Sequence, residues 1–369
     1  MPTITSTPAA DGFFMPGEFA PHNRCWMLWP ERPDVWRNQA KPAQAAFANV
    51  AQAIARFEPV TMGVSAVQYD RARQLLPDTV ELVVLDYNDA WARDNGPTFV
   101  INGRGETRGI DWDFNAWGGL YQDWKADDAL AQKILDYAGI GRYKAPLVME
   151  GGAIDVDGEG TLIVTKQCLL NPNRNPHLSQ AQIEAYLRDY LNVQKVIWLE
   201  NGVFNDETDG HVDNLCCFVR PTVVALTWTD DENDPQYPIS RAAYDQLCQE
   251  RDAKKRPLQV IRIHQPTPMT ITPEEAAGIQ PVAGSLERSS HKRLAGTYIN
   301  YYVANGGVIV PQFNDLHDRA ALETIQHLFP DREVVGVYAR EILLGGGNIH
   351  CITQQQPLSV SSDQYSVTN

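Results

Sequence analysis

NDAWARDNGPTFVI (88–101), VMEGGAIDVDGEGTLIV (148–164), TDGHVDNLCCFV (208–219), INYYVANGGVIV (299–310) and ILLGGGNIHCIT (342–353) share one pattern. In each, a polar and often glycine-rich turn stands just before or inside a short apolar run. Asp94 and Glu150 are 56 residues apart, and Glu150 and Asp213 are 63 apart. The next interval is longer, which a charged insertion over 229–257 would account for. A period of this size fits an architecture of repeated units, propeller-like or otherwise closed, presenting each turn toward a shared centre. Fortuitous likeness among glycine turns is the plainer alternative, and the repeat alone leaves it open.

Around these turns the chain alternates helix and strand signals. KPAQAAFANVAQAIARF (41–57) places Phe47, Val50, Ile54 and Phe57 at helical spacing, with Pro42 at its start. Further helices are expected over 126–139, 178–191 and 239–250. Short β-type runs fall at 80–86, 97–101, 161–165, 195–199, 221–226, 258–263 and 307–311. Residues 1 to about 20 read as an arm, and 354–369 as a polar, weakly ordered tail. The expected fold class is therefore α/β, built from many short elements.

Of 369 residues, 31 are Lys or Arg and 46 Asp or Glu, a net charge of −15. Nucleic acid and anionic membranes need clustered cations, so this balance argues against both as partners. It would instead concentrate a cationic small molecule. No apolar stretch approaches the ~18 to 20 residues of a membrane span, and the first residues carry no signal-peptide pattern. A soluble, cytoplasmic protein is the expectation. Its six cysteines are scattered without a C-x-x-C pair, which excludes a zinc ribbon or disulfide framework on spacing.

Singly, the chemical candidates have plain readings. His211 and Asp213 of GHVDN would share a strand face, as a solvated pair or as half of a metal site lacking further ligands. GGGNIHC (345–351) lacks the lysine of a phosphate loop, and frames Cys351 either as a nucleophile or as a buried filler. Asp94, with Trp91 beside it, and Glu150 would by themselves be solvated turn residues.

Taken together, these motifs carry a resemblance. MPGEFAPHNRCWMLWP (15–30), WARDNGP (91–97), DFNAWGG (113–119), MEGG (149–152), CLLNPNRNP (168–176), NDETDGHVDN (205–214), YVANGGVIVPQF (302–313) and GGGNIHCITQQQP (345–357) closely resemble the agmatine deiminases of the guanidine-modifying (pentein) superfamily. The resemblance implies a single domain over 11–357, followed by a polar tail at 358–369. It also implies a five-bladed α/β propeller (pentein) with pseudo-fivefold ββαβ repeats, closed around an acidic site.

A guanidinium is a resonance-stabilised cation with a poorly electrophilic carbon, so its hydrolysis calls for paired carboxylates, a strong nucleophile and a proton shuttle. The resemblance implies that Asp94 and Asp213 clamp the guanidinium while Cys351 attacks, forming an amidino-thioether. His211 would serve the departing ammonia and then the water, with Glu150 accepting its hydrogen bond. Trp91, Glu207 and Gly346 are further substrate-binding candidates, Glu207 being placed to attract a distal amine. Neither a metal nor an organic cofactor has a role in this scheme. Agmatine is the expected partner, with free or peptidyl arginine the alternative; similar enzymes are often homodimers. Arg93 reads as structural.

Overall fold

The computed structural model describes residues 3–358 of the chain, so the tail expected at 358–369 lies, past Leu358, outside the described residues. The architecture is mixed α/β, with five separate small sheets among the described residues. Three of the expected strands, Thr161–Thr165, Val223–Trp228 and Gly307–Gln312, sit in sheet interiors as runs buried along nearly their whole length. Continuous rather than alternating apolarity marks strands covered on both faces.

One unit recurs. Thr98–Ile101 pairs antiparallel with Thr107–Asp113, which pairs parallel with Gly141–Val148. Asp155–Val156, Thr161–Thr165 and Lys195–Leu199 repeat that order, as do Cys216–Arg220, Val223–Trp228 and Gln259–His264. Tyr302–Val303, Gly307–Gln312 and Glu333–Tyr338 form the fourth unit. The fifth joins the two ends of the chain. Thr353–Pro357 pairs antiparallel with His22–Leu28, which continues in parallel to Val60–Val64 and Val80–Val84. In four of the five stretches quoted above the turn lies immediately before the first strand of its unit; in the fourth, Asn300 precedes Tyr302–Val303 and the glycine turn joins that strand to the next.

The structure corrects several expectations. The segment 229–257 is not an insertion: Gln236–Leu247 is the helix of the crossover between the parallel strands Val223–Trp228 and Gln259–His264. Parallel neighbours need such a connection. The longer interval arises instead from 265–301, which is largely irregular apart from the short helix Pro273–Ala277. The start of the presumed tail is a strand, with Gln354 and Gln355 buried. The arm is docked as well, Thr3–Ile4 pairing parallel with Gly141–Val148. Helix Lys41–Ile54 buries Phe47, Val50 and Ile54 as its spacing predicts. All six cysteines are free.

Candidate active site

Three turns bring the acidic residues together. In the turn Ala92–Asn95, Asp94 is buried, and its two oxygens are separately held: Oδ1 accepts from Gly152 N at 2.9 Å and Oδ2 from Trp117 Nε1 at 2.9 Å. Trp117 reaches it from DFNAWGG, where Ala116 and Trp117 take φ of 57° and 53° and Asn115 caps Gly118 N. Glu150 precedes a 3-10 turn over Gly151–Ala153. Its Oε1 accepts from Arg174 Nε at 2.7 Å. The remaining oxygen faces His211 Nε2 at 3.6 Å, outside hydrogen-bond range. The hydrogen bond expected between Glu150 and His211 is therefore not made in this state; the buried Arg174 is what fixes Glu150.

His211 caps the turn Val212–Leu215, its backbone N–H donating to Asp206 Oδ2 at 3.1 Å. Its ring lies with Nδ1 3.9 Å from Asp94 Oδ1, and neither ring nitrogen has a hydrogen-bond partner. Burial opposes a proton on this imidazole, yet Asp94 and Glu150, with Cys168, overcome it and push the pKa well above the ordinary value. Burial works the other way on Asp94, raising its carboxyl with help from Asp213 and Glu150.

Cys351 and Asp213 meet at 3.6 Å, Sγ to Oδ2. Asn300, from the start of the fourth stretch, places Oδ1 3.4 Å from the same sulfur and accepts His350 N at 3.0 Å. All five quoted stretches thus contribute to one cluster. Burial, then Asp213 and Asp94, push the Cys351 thiol well above its usual range.

A narrow cavity of about 20 Å³ reaches this cluster, lined by Trp91, Asp94, Trp117, Glu207, Arg288 and Cys351, with Gly346 also on its wall. The three sequence-derived candidates Trp91, Glu207 and Gly346 therefore border the space, whereas Glu150, His211 and Asp213 are not on its lining. Gly346 has φ 106°, and a side chain there would collide with the Glu207 carboxylate. Glu207 differs from expectation in one respect. Its carboxylate is already engaged, by Arg288 Nη1 at 2.9 Å and Nη2 at 2.8 Å, and by Lys292 Nζ at 2.9 Å. Burial opposes its charge, but those two cations lower its pKa. Arg93 turns to Glu18, Nη1 to Oε1 at 2.8 Å.

Glu150, Cys168 and His211 offer ligand atoms within 4.8 Å of one another. With Glu150 Oε1 taken by a fully buried guanidinium, a fixed positive charge stands beside any cation placed there. The donor set suits a proton on His211 better than a divalent ion.

Sequence reasoning missed Arg174, Asn300, His350, Trp117 and Arg288 as members of the site. Arg174 and Trp117 stood in quoted motifs, NPNRNP and DFNAWGG, and a basic or aromatic residue inside an otherwise polar turn was a usable signal. Arg288 carried none.

Residues 14–357 match the family model of Porphyromonas-type peptidyl-arginine deiminases. An agmatine deiminase of Ectopseudomonas mendocina is 59% identical over 97% of this chain and 99% of its own length. One from Pseudomonas aeruginosa is 58% identical over 97% and 99%. Among solved structures, the agmatine deiminase of Enterococcus faecalis superposes with a TM-score of 0.95 at 47% identity, covering 98% of this chain and 100% of that one. A substrate-bound agmatine deiminase from C. jejuni gives 0.82 at 26% identity, over 94% and 97%.

Proposed function

The chain belongs to the Porphyromonas-type peptidyl-arginine deiminase family, among its agmatine deiminases, and from that premise we propose that it hydrolyses agmatine to N-carbamoylputrescine and ammonia. The observation that carries the reading is the convergence of Asp94, Glu150, His211, Asp213 and Cys351 from separate turns onto one buried cluster beside a narrow cavity.

In this reading Asp94 and Asp213 pair with the guanidinium N–H groups. The Cys351 thiolate attacks the central carbon, and the C–N bond to one terminal nitrogen breaks as His211 supplies the proton that lets it leave as ammonia. Water then adds to the amidino-thioether, giving one proton to His211, and the C–S bond breaks as the adduct's hydroxyl proton passes to the departing sulfur, releasing the ureido product and the Cys351 thiol. Glu150, anchored by Arg174, keeps the charged form of His211 favourable.

Arg288 in the cavity wall is the one feature that favours arginine, whose carboxylate needs a cation. Its terminal N–H groups, however, are consumed by Glu207, Tyr121 and the carbonyls of Leu344 and Gly345. An incoming carboxylate would have to displace these bonds. Agmatine, with an ammonium at that end, meets the Glu207 carboxylate instead, in exchange for one of its present partners.

Residues 11–357 are taken as one domain whose five units close as the blades of a propeller, with the turns at its centre. No helix among the described residues is long and apolar enough to cross a membrane; a cytoplasmic setting and a homodimeric assembly are part of the same proposal. The test is to measure ureido product and ammonia from agmatine, free arginine and a peptidyl-arginine side by side. Agmatine should lead by at least about a hundredfold in kcat/KM, roughly 2.7 kcal/mol of transition-state discrimination. Equal values for agmatine and arginine would overturn the substrate assignment.

A further inference from the structure

Glu18, from MPGEF, and His350, from GGGNIHC, are absorbed by none of the roles above. They meet in the interior. His350 Nε2 lies 2.9 and 2.8 Å from the two oxygens of Glu18, and Nδ1 lies 2.8 Å from Asp213 Oδ2. Behind Glu18 stands Arg93, which also donates from Nε to the His350 carbonyl at 3.3 Å. Four groups of alternating charge thus run in line, Arg93, Glu18, His350 and Asp213, and their side chains are at most 14% exposed. The row ends at the site, where Asp213 Oδ1 is buried without a hydrogen-bond partner.

We infer that His350 is a positioning residue for Asp213: held as an imidazolium between two carboxylates, it fixes one oxygen of Asp213 so that the other is presented to the substrate cation. This rests on the proposed guanidine hydrolysis. The protonation state follows from geometry. Both partners are carboxylates that act here as acceptors, so each ring nitrogen must carry a hydrogen, and only the cation has two. A buried carboxylate with one oxygen pinned by a charged donor has a defined free direction, and its charge is partly compensated before substrate arrives.

The groups facing His350 are Glu18 from the loop before His22–Leu28, Arg93 from the turn at Ala92–Asn95, Asp213, and Asp155 from the strand Asp155–Val156. Burial and Arg93 oppose its proton, but Glu18 and Asp213 raise its pKa to about 9. Burial, with help from Glu18 and Asp213, pushes the Asp155 carboxyl well above its usual range against His350, which favours its charge.

The consequence is a specific pH signature. The imidazolium is present below about pH 9 and lost above it. His350→Asn keeps a neutral donor near Asp213 but has no charge at any pH. At pH 7 this variant should lose about 10- to 100-fold in kcat/KM for agmatine, chiefly through KM, as outer-shell partners of functional groups do. The ratio of wild type to variant should shrink severalfold between pH 7 and 10, because the wild type loses its cation there. Glu18→Gln retains His350 but removes one of the charges that stabilise its proton, so the alkaline decline of kcat/KM should move to lower pH. The two substitutions together should cost little more than His350→Asn alone.

Imidazole ¹⁵N shifts on the substrate-free wild type provide a reading without turnover: two ring N–H protons to about pH 9, and to a lower pH in Glu18→Gln. A neutral His350 at pH 8, a pH-independent ratio, or an unmoved alkaline limb in Glu18→Gln would each overturn the inference. Should His350→Asn fail to fold, Glu18→Gln and the ¹⁵N titration still decide it. Failure of the wild type to turn over agmatine would overturn the functional reading, whatever the ¹⁵N titration shows.

Discussion

Gly152 is the test of how tightly the cluster is built. A Cβ on this residue would stand 2.5 Å from His211 Nδ1, 2.9 Å from Asp213 Oδ2 and 3.0 Å from Asp94 Oδ1. Its φ is not among the positive ones, and it lies in an ordinary 3-10 turn, so alanine is conformationally acceptable and the whole effect is steric. Ordinary contact begins near 3.4 Å, so three functional side chains must each retreat by about half an ångström or more. None is the loose end of a flexible chain: Asp94 is pinned by Trp117, and Asp213 by His350. Overpacking of this kind costs about 1 to 3 kcal/mol of stability. Displacement of reacting groups by about 1 Å costs on the order of a hundredfold in rate. Gly152→Ala should therefore fold, melt a few degrees lower at most, and lose about a hundredfold or more in kcat/KM. Ammonia release from agmatine beside a thermal melt measures both. Activity within about threefold of wild type would mean that the cluster yields freely, and the argument from preorganised geometry would fail with it.

Arg174→Gln leaves Glu150 buried without its cation and should destabilise the fold by about 3 to 5 kcal/mol. Because Arg174 and His211 depress the Glu150 pKa against burial, that loss should be fully present above its ordinary value of 4.5 and fade as the pH falls below it; a pH-independent melting shift would contradict the pairing. Glu207→Gln should lower kcat/KM for agmatine by about 10- to 100-fold and change arginine far less. Parallel losses for the two substrates would remove Glu207 from selectivity. A haloacetamidine should label Cys351 first although Cys248 is the exposed thiol, whereas a neutral haloacetamide should prefer Cys248. Peptide mapping of both reactions decides it, and preferential amidine labelling of Cys248 with activity intact would refute the nucleophile.

What the sequence disclosed is what repeats. Asp94, Glu150, Asp213 and Cys351 stand just before the first strand of a unit, so their spacing carries the period of the fold as well as the chemistry. Their partners follow no such rule. Arg174 and Glu18 reach the cluster from turns with no local sign of burial, because burial is a property of the assembled units and not of a local stretch. The strand Thr353–Pro357 shows the same limit. TQQQP has no β signature, and it becomes a strand because His22–Leu28, from the other end of the chain, offers an edge to pair with. Glu207 borders the cavity, but its compensation by Arg288 and Lys292, some 80 residues away, left no mark nearby.

The electrostatics of the cluster bear on the order of events in the proposed reaction. Without substrate, burial and then the nearby Asp213 and Asp94 carboxylates raise the Cys351 thiol. Burial and the two carboxylates thus disfavour the thiolate while no cation is bound. A guanidinium binding between the two carboxylates cancels the charges that oppose the thiolate, and adds a cation beside the sulfur. The substrate thus brings part of the activation with it, and the thiol proton leaves to solvent, because His211, whose acidic neighbours favour its charged form, carries the proton that the leaving nitrogen needs. The ureido product is neutral at that end. Once it forms, the clamp has nothing to pair with, the carboxylates again oppose the thiolate, and the same repulsion that delayed attack now favours reprotonation of Cys351 and release.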